Sequence, residues 1–121
     1  MILTIHVAEP ADTSMARLIA HAEKVDRGEA VEPLCEVGFD NMAQFGEVFT
    51  PKRWELVETL KTAGPLTIYA LAKQLNRHYR NVHKDVTALI EWMVVEKDES
   101  GKVFVPWDEI AVRWPLLKKA D

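Results

Sequence analysis

Arg80, Asn81 and Lys84 stand close together, with Thr87 one turn further on. At about 100° per residue in a helix, these four and Ala88 share the side opposite Val82, Val86, Leu89, Ile90 and Met93. Arginine and lysine reach phosphate oxygens or guanine, and asparagine can pair with adenine. An apolar back with a cationic, amide-bearing front is what a helix needs to lie in a DNA major groove. Glu91 shares that front two turns on and would repel phosphate, so only the amino-terminal half is expected to enter a groove.

Other chemistry-bearing residues do not combine into a reactive set. His78 and His83 are spaced so that they point apart, whereas a metal site needs three or four converging ligands. They read as phosphate contacts or as surface groups with pH-dependent charge. Cys35 has Glu36 and apolar neighbours instead of the base and positive field a nucleophilic thiol requires, so burial is expected. There is no Ser/His/Asp set, no catalytic carboxylate pair and no cofactor motif. The five glycines, at 28, 38, 46, 64 and 101, are too scattered for a phosphate-binding loop. The sequence therefore points away from an enzyme, a cofactor and a metal.

The elements that would position the cationic face lie within Leu66–Val95. Ile68, Leu71, Ala72 and Leu75 recur at helical spacing, Thr67 can cap their helix, and Asn76 tolerates the left-handed conformation that ends one. The stretch reads as a helix-turn-helix, with Thr67–Gln74 supporting and Arg80–Met93 recognising. An ordinary pair of surface helices would show the same periodicity. The next segment of the chain tips the balance: VVEKDESGKVFVPW carries an apolar pair, a charged Ser100–Gly101 tip and an alternating apolar run, which signals a hairpin. A hairpin directly after a recognition helix is the winged-helix arrangement. It would bring Lys97 and Lys102 near phosphates, with Asp98 and Glu99 opposing them.

Upstream, Leu3, Ile5 and Val7 alternate as a strand, and Asp12 or Thr13 can cap a helix running to about Arg27, where Gly28 stops it. Met15, Leu18, Ile19, Ala22 and Val25 form its apolar face. LCEVGF is a second strand candidate. This strand–helix–strand unit cannot bury both faces alone and should pack on the rest of the chain or on a second copy. Asp40 is expected to cap a short helix over NMAQFGEVF. Thr50–Pro51 opens another, with Trp54, Val57, Leu60 and Ala63 facing inward. Ile110, Val112 and Trp114 alternate as a last strand, paired with the first strand of its own chain or of a partner. Among the tryptophans, Trp54 suits a core, whereas Trp107 and Trp114 suit an interface. The expected fold class is α+β: a winged helix-turn-helix over 39–121 with a strand–helix–strand unit over 1–38 serving dimerisation or a partner.

The net charge of −4 is unevenly spread. Residues 1–50 hold nine acids against three bases, while 51–84 hold seven bases against Glu55 and Glu58. The positive field thus falls on the helix pair, and the acidic half should face a partner or solvent. No run approaches a membrane span, no secretory signal opens the chain, and Cys35 is alone, so cytoplasmic residence is expected.

TPKRWELVETL, LTIYALAKQL, YRNVHKDVTAL and the V-PWDEI segment together resemble a family of small prokaryotic winged-helix transcriptional regulators related to the MarR-like group. The likeness covers roughly residues 39–112. It implies DNA contacts from Arg77, Tyr79, Arg80, Asn81, His83 and Lys84. Because such proteins are commonly paired with a small toxin, it also implies an autorepressing antitoxin. Asn76 replaces the usual turn glycine, and His78 a more usual polar cap. The expected partners are a pseudo-palindromic duplex operator, a second copy of the chain and a small toxin, with no membrane. Two other readings use the same fold: a winged helix for protein contact alone, and a ligand-sensing regulator with an apolar cavity beside the amino-terminal unit.

Overall fold

Short-range signals build the helices. Thr50 accepts a hydrogen bond from the Arg53 N–H, and Pro51 occupies the first helical position, where a missing N–H costs nothing. Thr67 caps the next helix through the Ala70 N–H. Asn76 ends it in the left-handed region (φ 53°, ψ 46°), while Arg77 N–H returns to the Ala72 carbonyl at 3.0 Å. The computed structural model describes residues 1–117. In order these form β1 (Ile2–Val7), α1 (Ala11–Asp26), β2 (Glu36–Phe39), α2 (Met42–Val48), α3 (Pro51–Ala63), α4 (Ile68–Leu75), α5 (Tyr79–Glu91), β3 (Glu96–Lys97), β4 (Val103–Phe104) and β5 (Glu109–Arg113). The fold is mixed α+β. Lys118 and Lys119 lie outside the described residues.

The first and last strands of the described residues lie in one sheet, ordered β2-β1-β5 with both pairings parallel. The last strand therefore pairs with the first strand of its own chain. Leu3, Ile5 and Val7 point to one face and are buried with Phe39 against Leu56, Leu60, Leu71, Val82, Val86 and Leu89. This is the packing that the strand–helix–strand unit required. An aromatic cluster closes the junction: Phe39 stacks on Trp92 (centroids 4.2 Å apart) and Phe49 on Trp54 (4.6 Å).

Several expectations are corrected. Asn41, not Asp40, caps α2, accepting the Gln44 N–H at 2.8 Å. Pro10 precedes α1 with no side-chain cap. The buried stripe of α3 is Leu56, Val57 and Leu60, while Ala63 is exposed and Trp54 half-buried. Arg53, four positions before Val57, also points inward, to an ion pair with Asp85. In α5, Ile90 and Met93 are not part of the buried face. The helix ends at Glu91, and Met93 turns left-handed (φ 68°) into solvent. Trp107 is only 4% exposed and donates its indole N–H to the Met93 carbonyl, so it is part of the core. Cys35 is half-buried.

The largest departure is α1. It buries none of its residues, and Met15, Leu18, Ile19 and Val25 are each about half exposed. Polar side chains anchor it instead. Arg17 forks onto the Glu9 carboxylate (2.8 and 3.0 Å) and reaches Glu36 at 2.9 Å, while His21 meets the Glu32 carbonyl at 3.0 Å. His6, nearly buried, lies 2.9 Å from Glu9 and 3.1 Å from Glu36. The Arg17 guanidinium holds the Glu9 carboxyl down to about 2, with Ser14 and His6 pulling the same way and burial opposing.

Candidate nucleic-acid interface

The cationic face sits on α5, and the way α5 is held decides which side chains are free. Val82, Val86 and Leu89 are fully buried, and α4 packs across them. His78 caps α5: its Nδ1 accepts the Arg80 N–H at 3.3 Å, which requires that nitrogen to be unprotonated. With the helix fixed in this phase, Tyr79, Arg80, Asn81, His83, Lys84 and Thr87 are all exposed. The Tyr79 and His83 rings lie side by side, centroids 5.8 Å apart, one turn along the same flank. Thr87 returns its hydroxyl to the His83 carbonyl at 2.9 Å and keeps its methyl for apolar contact. Neither Arg80 nor Lys84 forms an ion pair among the described residues.

Arg77 is corrected. Its guanidinium Nη2 lies 2.7 Å from Asp85 Oδ2, and the side chain is only 18% exposed. The other Asp85 oxygen takes Arg53 Nε at 3.0 Å, and Arg53 also donates to the Val48 carbonyl at 2.7 Å. One carboxylate thus ties the start of α3 and the turn before α5 to the side of α5. A phosphate at Arg77 would have to displace Asp85. Two of the seven bases in 51–84 are therefore internal, and the field on the outer face is weaker than a count of charges indicates. Sequence reading missed Lys73 and Tyr69. Both are exposed on α4, with Lys73 Nζ 5.0 Å above the Tyr69 ring, beside the start of α5. Lys73 could have been found as the one base in the last turn of the helix preceding the cationic face.

The hairpin after α5 pairs β3 with β4 antiparallel, and Leu66 adds a bridge to Val103. Asp98 builds its tip. Its carboxylate accepts from the Ser100 hydroxyl (2.6 Å), the Ser100 N–H (2.9 Å) and the Lys102 N–H (3.0 Å). These bonds, the Ser100 hydroxyl first, pull its carboxyl below the ordinary aspartate range. Gly101 supplies the left-handed step (φ 88°) that completes the turn. Asp98 thus spends its charge on the turn, and Lys97 and Lys102 are left exposed on either side of it.

Residues 48–112, more than half of the chain, match the family model HVO_A0114. The chain belongs to the HVO_A0114 family. The matched segment runs from the end of α2 to β5, and so contains the α3–α5 helices, the hairpin and all nine positions expected at DNA. No curated protein and no solved structure matches the chain. No helix among the described residues is long and apolar enough to cross a membrane.

Proposed function

We propose that this HVO_A0114-family chain is a DNA-binding transcriptional regulator. In this reading α3–α5 and the β3–β4 hairpin act as a winged helix-turn-helix. One observation carries it: α5 is held by a fully buried apolar back, so that Arg80, Asn81 and Lys84 stand free on its outer side near the amino terminus. Arg80 and Lys84 then hold phosphates or guanine, Asn81 reads adenine, and Lys97 and Lys102 rest on the flanking backbone. Two copies related by a two-fold axis occupy successive major grooves of a pseudo-palindromic site and block polymerase. Cytoplasmic residence goes with that role.

A gel-shift titration on the DNA upstream of the protein's own reading frame tests this. If each copy neutralises about three phosphates, the log–log salt slope should be about −5 for a dimer. Arg80→Ala and Lys84→Ala should each reduce the slope by about 1 without lowering Tm. A flat salt response would favour a module for protein contact alone. An antitoxin role is supported by the acid-rich first fifty residues and the half-exposed apolar face of α1, which suit a small basic toxin. Co-expression with a small basic protein encoded next to it, with co-purification as the readout, tests that role. A toxin that binds equally well without the α1 face would remove it.

A further inference from the structure

β5 is the edge of a parallel sheet with nothing beside it among the described residues. Asp108 donates its N–H to the Met1 carbonyl at 2.9 Å. By the two-residue period of a strand, the backbone groups of Ile110 and Val112 also face β1, and those of Glu109, Ala111 and Arg113 face outward. Such a row of free donors and acceptors is a template for another strand. Edges are often blunted by proline, a bulge or lysine, and β5 has none of these before Pro115.

The strand reads Glu-Ile-Ala-Val-Arg, and its character is self-complementary under reversal. Set antiparallel to a second β5 about an axis through Ala111, each Glu109 faces an Arg113 and each Ile110 faces a Val112. Neither Glu109 nor Arg113 forms an ion pair among the described residues. The same register aligns the outward backbone groups, so that Ala111 pairs with Ala111 and Glu109 with Arg113 through both of their hydrogen bonds. Moving the axis to Ile110 or Val112 keeps the outward backbone match but sets Glu109 or Arg113 opposite Ala111, and an axis between two residues loses the backbone match. A parallel pairing would set glutamate beside glutamate and leave the assembly open-ended. The other edge strand, β2, is four residues long and its Glu36 is already held by Arg17 and His6.

The surface below this edge fits the same occupant. Val112 lies on the core face of the strand yet is 44% exposed, because β5 overhangs a groove of about 680 Å³ beside α3. Trp54, Val57, Val105, Trp107 and Ile110 contribute its apolar walls. A strand added at the edge would direct its own Ile110 and Val112 toward that groove. It would also place its Trp114 opposite Asp108, on the groove wall. A five-residue strand pair alone falls short of the roughly 1,200 Å² of a stable interface. The groove supplies the additional apolar area.

We propose that the β5 edge is the self-association surface of this protein, pairing antiparallel with β5 of a second copy to make a continuous six-stranded sheet. This deepens the regulator reading, and rests on it for the choice of a second copy as occupant. The test is light scattering of the full chain at tens of micromolar, with melting curves as a folding control. The wild type should show twice its 13.8 kDa mass. Glu109→Arg and Arg113→Glu should each weaken the dimer roughly tenfold or more, by setting like charges opposite one another. An equimolar mixture of the two variants should regain the dimer mass as a heterodimer, and so should the double swap. A monomeric wild type, single swaps that dimerise as before, or a mixture that stays monomeric would overturn the proposal. Gel shifts on the same samples separate the two ideas. Dimer mass without DNA binding retires the regulator reading and leaves the edge pairing standing. Monomer mass with DNA binding retires the edge pairing alone.

Discussion

α1 and α5 are both amphipathic helices, and they are held in opposite ways. α5 buries Val82, Val86 and Leu89 and shows its charges to solvent. α1 turns Ser14, Arg17 and His21 inward, toward Glu9, Glu32 and Glu36, and leaves Met15, Leu18, Ile19 and Val25 half exposed. Helical periodicity identifies a stripe but not what the stripe faces. Around α5 the free apolar surface of α3 and α4 meets the stripe. Around α1 the sheet presents Glu36, His6 and the Glu9 corner, and a guanidinium finds better partners there than a leucine does. The apolar side of α1 is consequently available to something else, whereas that of α5 is fully used.

Truncating the two stripes should break the symmetry most visibly. Leu89→Ala should cost ~2–5 kcal/mol in urea unfolding, since it opens a cavity in a closed core. Leu18→Ala on α1 should stay within about 0.5 kcal/mol. Equal costs would mean that α1 is packed after all. Next in size is the ionic clasp. Asp85→Asn should cost ~2–3 kcal/mol by removing the charge that two inward arginines share, and it should loosen the turn before α5. A melting temperature that does not move would show the clasp to be unnecessary for the α3–α5 arrangement.

Acid should separate the helices more gently. The Glu9 carboxyl is held below its ordinary value near 4.5, at about 2. Its contribution is therefore complete above the ordinary value and is lost as pH falls through about 2. Amide exchange in α1 should accelerate over that window, while the apolar contacts behind α5 do not titrate. The change expected from Glu9→Gln at neutral pH is smaller, about 1 kcal/mol, because Arg17 is partly solvated. Protection in α1 that is indifferent to both acid and this substitution would remove the anchoring role of the Glu9–Arg17 fork.

The α4–α5 pair was legible almost entirely from sequence. Thr67 and Asn76 act within one turn of the backbone they cap, and the apolar spacing of each helix is intrinsic to it. The hairpin tip was legible too, because Gly101 and Ser100 belong to a local turn. Tertiary structure alone decided the rest. Asp85 lies 32 positions from Arg53, so nothing local marks either as an inward pair, and the second Asp85 oxygen draws Arg77 away from the outer face. β5 pairs with a strand more than a hundred residues earlier, and its alternation suits a partner's strand equally well. Short-range patterns specify the elements because capping and periodicity need only neighbouring residues. Which charges turn inward and which edge stays open depend on surfaces that exist only once distant segments have packed.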